Sequence, residues 1–264
     1  MAPLPRIELP GPHKTICTLY PAKIEPPSLF SNLLDTIRPI ACSSRKFSGP
    51  ESSFIKKTIE ELISDNIVRT SNSPWRAQVL VVGLNKPHTK PRMVVDYSRT
   101  INKFTELDAY PLPAIDTLVN KIAKHKVYST FDLKSAYYQV PLREEEKCYT
   151  AFEAGGKLLE FNVIPFGVKN GVAAFQRVID DIIDIEKLDG TYAYLDNITV
   201  AGDDQFQHDQ NVRRFMEVVK KHRFTLNEGK TISSVSSINI LGYLVSHNTI
   251  CLLYTSDAAD DLLC

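Results

Sequence analysis

The sequence predicts a mixed α+β fold centred on a β-α-β-β-α-β unit, the split or ferredoxin-like arrangement. Three observations predict it. Between residues 127 and 245, short β-rich runs alternate with two apolar stripes at helical spacing. Hydrophobic residues make up 43% of the 264, enough for one large domain or two small ones. Charged residues make up 23%, as in globular chains and unlike disordered ones.

Nine of the 16 prolines lie in the first 50 residues. Proline removes a backbone donor and blocks helices, so residues 1–47 read as an extended arm or linker. The first clear element begins near Ser52. There Ile55, Ile59, Leu62 and Ile63 recur at helical spacing and a serine stands ready to cap the start. Two β-rich runs follow, AQVLVV at 77–82 and RMVVDY at 92–97, joined by the polar, proline-containing GLNKPHTKP, which reads as a hairpin loop.

In the central unit, VYSTFD reads as a strand. Phe175, Val178, Ile179, Ile182 and Ile183 form a helical stripe over 170–185 with Asn170 as its cap. TYAY and NITVAG read as two strands around a tight turn. Val212, Phe215, Met216 and Val219 form the second stripe, over 204–222, capped by Asp203 or Asp204. INILGYLV at 238–245 reads as the closing strand.

Several classes are disfavoured. Cys17, Cys42, Cys148, Cys251 and Cys264 lack CxxC spacing or a nearby His pair, so neither a zinc site nor a disulfide framework is read. MAPLPRIELPGPHK has no apolar signal core, and no stretch approaches the ~20 apolar residues of a membrane helix. A soluble, cytoplasmic protein without membrane contact is the expectation. Lys+Arg and Asp+Glu balance at 31 each, which weighs mildly against nucleic-acid binding unless basic residues gather locally. Two basic groups, Lys220–Arg223 and Lys121 with Lys124–Lys126, read first as solvated surface and second as nucleic-acid contacts.

Two aspartates carry the chemical signal. Alone, Asp132 at the end of VYSTFD reads as a helix cap, and Asp196 in YLDN reads as a hairpin-turn residue. In the β-α-β-β-α-β order, however, the first strand and the central hairpin are sheet neighbours. Their two carboxylates can then share cations, and such a pair beside a phosphate substrate suits two Mg²⁺ ions.

The motifs RMVVDYSRTIN, LDAYPLPAIDTLVNKI, YSTFDLKSAYYQVPL, TAFEAGGKLLEFNVIPFGVKNGVAAFQ, YAYLDNITVAGDD, LNEGKT and ILGYLVS follow one another from about Phe47 to Ile250. Their order resembles that of reverse transcriptases, in particular the gypsy-type LTR retrotransposon branch. The resemblance implies a right-hand polymerase with fingers at 48–105 and 140–170 and palm at 106–139 and 171–250, the thumb missing. It implies an RNA-directed DNA polymerase that adds deoxynucleotides to a primer 3′-hydroxyl, using two Mg²⁺ ions, or Mn²⁺. The partners implied are an RNA or DNA template with primer, deoxynucleoside triphosphates, and the protease, RNase H and integrase regions of a full Pol polyprotein within a virus-like particle.

By the same resemblance, Asp132 and Asp196 hold the metals, with Asn197 beside them. Tyr137 excludes a ribose 2′-hydroxyl, and Leu133, Ser135 and Ala136 lie beneath the triphosphate. Arg92, with Lys86 a weaker companion, grips phosphates from the fingers. Phe166 and Gly167 line the nucleotide site. Gln176, Tyr194 and Leu195 lie near template and primer, Lys230 is the acid for leaving pyrophosphate, and Leu241, Gly242 and Tyr243 hold the primer end. Alone, Arg92 and Lys86 read as a solvated hairpin face, Tyr137 and Phe166 as core aromatics, and Lys230 as a loop lysine.

Two departures stand out. Asn197 occupies the place where the family carries a second aspartate, which keeps an oxygen ligand but loses a charge. An active polymerase and a catalytically inactive nucleic-acid-binding remnant both follow from that, and a protein-interaction scaffold on the same sheet is a third reading. The other is NGVAAF, where the branch commonly has a proline after Asn-Ala, a change to helix entry more than to chemistry. The end of the chain is also odd: CLLYTSDAADDLLC at 251–264 resembles translated sequencing adapter and is set apart from the fold.

Overall fold

The computed structural model describes residues 21–30, 33, 36–84 and 89–253. In chain order the elements are α1 (Gly49–Ser64), β1 (Val68–Thr70), β2 (Gln78–Val82), β3 (Arg92–Asp96), α2 (Ile115–Ile122), β4 (Val127–Asp132), β5 (Phe152–Ala154), β6 (Lys157–Phe161), α3 (Gly171–Ile185), β7 (Thr191–Tyr194), β8 (Asn197–Gly202), α4 (Gln205–His222), β9 (Ile232–Val235), β10 (Ser237–Ile240), β11 (Tyr243–Ser246) and β12 (Thr249–Leu252). Among the described residues no helix is long and apolar enough to cross a membrane.

The central sheet has the order β7-β8-β4-β9, with β4 antiparallel to both neighbours. This is the ferredoxin-like arrangement, but its closing strand differs from the one expected. Ile232–Val235 completes the sheet. The run INILGYLV instead folds back at Leu241 and Gly242, whose φ values of 51° and 86° suit a two-residue hairpin turn. Its halves, β10 and β11, form a separate sheet with β12. Cys251 and Leu252 pair with Leu244 and Tyr243, so strand pairing continues past Ile250 into the segment set apart as non-native.

Helices α3 and α4 cover one face of the central sheet. Phe131, Ile198, Val200, Phe175, Val178, Phe215 and Val219 belong to the cluster between them. The opposite face is covered at one end only, where Tyr128 and Ala201 pack with Leu118, Val119 and Ile122 of α2 and with Ile238, Ile240 and Val245. At the other end of this face stands Asp132 opposite Asn197, beyond the part that α2 covers.

Helix starts follow their side chains. Ser48 and Glu51 form a capping box, so α1 begins three residues before Ser52. Its inner face holds Ile55 and Ile59, while Ile63 is exposed, contrary to the expected stripe. Asp204 caps α4 by accepting from the Gln207 N–H. Asn170 does not cap α3 through its side chain. Its buried amide accepts from Asp108 N–H and donates to the carbonyls of Leu29 and Glu106.

The described part of the proline-rich arm is no free linker. Leu29 and Phe30 lie in the same buried cluster as Ile55, Phe131 and Phe215. Ala22 N–H donates to Gln139 O at 2.6 Å and Lys23 N–H to His222 O at 2.7 Å. The buried Glu146 carboxylate accepts from Ser28 Oγ at 2.7 Å, Phe30 N–H at 2.9 Å and Leu29 N–H at 3.1 Å.

Candidate functional site

Strand β4 ends in Asp132, whose backbone partner across the ladder is Asn197 at the start of β8. One residue further, Leu133 N–H donates to the carbonyl of Asp196 at 3.0 Å. That bond extends the pairing into the β7–β8 turn and brings Asp132 and Asp196 to adjoining backbone positions. Directly paired residues of an antiparallel ladder have Cβ atoms ~5 Å apart. Asp132 and Asn197 therefore share one patch, with Asp196 at its rim.

The Asp132 side chain is largely shielded, and its oxygens face two donors. Asn227 Nδ2 stands 3.3 Å from one and Lys230 Nζ 3.0 Å from the other. Lys230 sits in the short turn Glu228–Lys230, just before β9, and its side chain is 65% exposed. An ion pair so open is worth little on its own. It is therefore easily exchanged for another cation on the same carboxylate.

After Leu133 the chain turns through Ser135, which is exposed and left-handed at φ 50°, into the buried Ala136. Gln139, fully buried, fixes this bend. It donates to the carbonyls of Lys134 and Thr225 and accepts from the Thr225 N–H. Tyr137 is then held between Phe166, edge-on at 5.0 Å, and Phe175, tilted at 5.1 Å. Burial, then the charge of Asp196, raises the Tyr137 phenol above its ordinary pKa. Phe166 is half exposed and also meets Tyr138 at 5.2 Å. Gly167, at φ 93°, lies so close to β3 that an added Cβ would stand 3.3 Å from the Val95 carbonyl. Asn102 staples that loop by donating to Gly167 O and accepting from Lys169 N–H.

The sequence pattern of the family described as reverse transcriptase (RNA-dependent DNA polymerase) matches residues 84–245. The chain belongs to the reverse transcriptase family. It is 33% identical over 215 residues to the retrovirus-related Pol polyprotein from transposon opus of Drosophila melanogaster, covering 80% of this chain and 21% of that protein. It is 29% identical over 199 residues to the Pol polyprotein from transposon gypsy of the same organism, covering 74% and 19%. It is 32% identical over 219 residues to the enzymatic polyprotein of cauliflower mosaic virus (strain Strasbourg), covering 82% and 32%. The chain thus spans between about a fifth and a third of these relatives. A foamy viral protease-reverse transcriptase in complex with RNA/DNA hybrid superposes with a TM-score of 0.77 at 20% identity, over 90% of this chain and 31% of that one. That likeness establishes the polymerase fingers-and-palm fold.

Within this reverse transcriptase domain, the other expected residues fall in three places. Tyr194, Leu195 and Gln176 adjoin the carboxylate turn, but Gln176 is fully buried and its amide accepts from the Leu195 N–H at 2.7 Å. It supports the turn from beneath and presents no free surface to a template. Leu241 and Gly242 form the β10–β11 turn, and the Tyr243 hydroxyl donates to Asp116 Oδ1 at 3.2 Å. Arg92 is exposed opposite Val82, at the loop end of the β2–β3 hairpin. It lies roughly 10 Å along β3 from Val95, which meets the Gly167 loop. Lys86 lies outside the described residues. Lys221 and His222 of the basic cluster both reach Glu186, as a surface cluster would.

Asn227 and Gln139 were not singled out from the sequence, although both shape the site. Asn227 carried a signal, since it falls three residues before Lys230 inside LNEGKT. Gln139 carried none beyond its place in YYQV. No cluster of three or more His, Cys, Asp or Glu residues suited to a metal occurs among the described residues. The oxygen donors here are two carboxylates and one amide. Hard, oxygen-seeking Mg²⁺ fits that set, because it is commonly held by one or two carboxylates plus substrate phosphate and water.

Proposed function

We propose that this chain is the catalytic core of an RNA-directed DNA polymerase acting on a primer annealed to an RNA or DNA template. The single observation that carries the reading is the Leu133–Asp196 backbone bond, which brings Asp132 and Asp196 to one rim of the sheet. In the reaction the primer 3′-oxygen bonds to the α-phosphorus of a deoxynucleoside triphosphate. The bond from that phosphorus to the bridging oxygen breaks, and pyrophosphate leaves. Bound Mg²⁺, or Mn²⁺, would supply Lewis acidity at the attacking and leaving oxygens. Asp132 and Asp196 would hold the ions, with Asn197 adding a neutral oxygen.

The remaining residues position and select. Tyr137, wedged between Phe166 and Phe175, would form a fixed wall under the sugar. Leu133, Ser135 and Ala136 line the bend where a triphosphate would lie, beside Phe166 and Gly167. Arg92, and Lys86 with it, would reach phosphates from the β2–β3 hairpin. Lys230, an ammonium at the edge of the site, can give its proton to the departing pyrophosphate. In this reading residues 48–105 and 140–170 are fingers and 106–139 and 171–250 palm. The domain works within a longer Pol polyprotein, beside protease, RNase H and integrase regions.

Primer extension with Mg²⁺ or Mn²⁺ tests the reading. Asp132→Asn should lose at least about a hundredfold in rate with either ion. Asn197→Asp should raise the Mg²⁺-supported rate and tighten Mg²⁺ binding, because an anionic oxygen replaces a neutral one. Full activity in Asp132→Asn would exclude the metal site. A wild-type chain that binds primer–template yet never extends it, while Asn197→Asp does extend it, would identify a copy inactivated at that residue.

A further inference from the structure

A run of hydrogen bonds leaves the carboxylate turn and crosses the buried side of α3. It begins at Leu195, a non-glycine residue held in the left-handed region at φ 53°. Few side chains adopt that conformation unaided. Its N–H donates to Oε1 of Gln176 at 2.7 Å. The Gln176 Nε2 donates to the Ala193 carbonyl at 3.3 Å and to Oδ1 of Asp180 at 2.8 Å. Oδ2 of Asp180 accepts from the Tyr110 hydroxyl at 2.7 Å. Only one orientation of the Gln176 amide satisfies these partners, since the reverse would face two N–H donors toward each other and oxygen toward oxygen.

Tyr110 is itself held from a second side. The Arg177 guanidinium lies 4.6 Å from its ring centroid and donates to Asp108 Oδ1 at 2.8 Å. The same Asp108 oxygen accepts the Tyr110 backbone N–H at 3.0 Å. Burial, then Asp180, pushes the Tyr110 phenol up to about 12, so it remains a donor throughout neutral pH.

We propose that Tyr110 is a positioning residue for the catalytic turn: through Asp180 and Gln176 its hydroxyl sets the conformation of Leu195, and with it the place of Asp196. The catalytic half of this inference rests on the polymerase reading. Its structural half does not. The turn has a strained residue next to a carboxylate that must hold still, and the amide that relieves the strain is itself oriented by a carboxylate with one further donor. Losing that donor leaves Asp180 free to rotate and Gln176 free to follow it.

The test uses the full chain and Tyr110→Phe, which removes one oxygen and keeps the ring beneath Arg177. Asp180→Asn, which cannot accept at both positions, is the second variant. Single-nucleotide addition should fall about tenfold in kcat in each, with KM for the deoxynucleotide within about twofold. Amide hydrogen exchange at Leu195, followed by NMR, should be about tenfold faster, while β8 amides keep their wild-type rates. A merely structural contact would lower the melting temperature without splitting kcat from KM. An unchanged Leu195 exchange rate, or an effect confined to KM, overturns the proposal. If the wild-type chain adds no nucleotide, the polymerase reading fails while Leu195 exchange still decides the relay.

Discussion

At the scale of residues, Tyr137 is placed by packing and the Asp132–Asp196 pair by ladder register. Two aromatic rings flank Tyr137 and hold its ring in place, and in the proposed function that ring is the wall under the sugar. Tyr137→Ala should therefore raise the ribonucleotide-to-deoxynucleotide ratio of kcat/KM by about tenfold or more, measured with matched triphosphates on one primer–template. An unchanged ratio would return Tyr137 to the role of a core aromatic. The nearness of Asp132 and Asp196 was readable in advance, because FDLKSAY and YLDN name the aspartates and strand order brings them together. The buried amides were not readable. Gln139 and Gln176 do their work through backbone groups of residues distant in sequence, and a lone glutamine in an apolar stretch has no pattern that announces such partners. The resemblance put Gln176 near the template, and the structure buries it as a support of the Leu195 turn.

Among elements, the strands that alternate cleanly were legible and the edge strand was not. VYSTFD, TYAY and NITVAG each fell within one residue of β4, β7 and β8. ISSV, which completes the sheet, is mostly exposed and half serine, so it offers no alternation to detect. INILGYLV looked continuous because Leu241 is apolar, and only the glycine after it marked the turn. Packing inside the sheet also leaves a flaw. The Thr191 hydroxyl on β7 is buried without a partner. It borders an apolar cavity of about 20 Å³, lined by Ile179, Ile183, Ile198 and Phe215 among others. That volume is just enough for one water, but the apolar lining would leave it short of hydrogen-bond partners. Thr191→Val keeps the shape and removes the stranded hydroxyl. It should raise stability by about 1 kcal/mol, seen as a melting temperature higher by about 2 to 4 °C. A lower melting temperature would show that the hydroxyl has a partner in solution.

On the scale of the whole molecule, one buried cluster runs from the arm through the β1-β6-β5 region to the helices beneath the central sheet. Proline content set the arm apart from the helices and strands that follow. Its docking was hidden, because Ala22 and Lys23 are held through backbone N–H groups that any residue would supply. Glu146 is the main anchor that a side chain provides. Glu146→Ala should cost roughly 2 to 4 kcal/mol in denaturant unfolding, since charged hydrogen bonds to buried donors are lost together. Limited proteolysis should then cut within residues 21–47 before any other described segment. Uniform cleavage, or unchanged stability, would show that Leu29 and Phe30 hold the arm by burial alone. The arm also has a consequence for the order of events at the ribosome. Leu29 is made 117 residues before Glu146, and Lys23 199 residues before His222. At typical elongation rates of ~10 residues per second, the first interval lasts about ten seconds and the second about twenty. During that time the apolar arm has been synthesised and its seat has not. Leu29 and Phe30 are thus made well before the residues they pack against, and a nascent chain of this kind depends on whatever shields them while it waits.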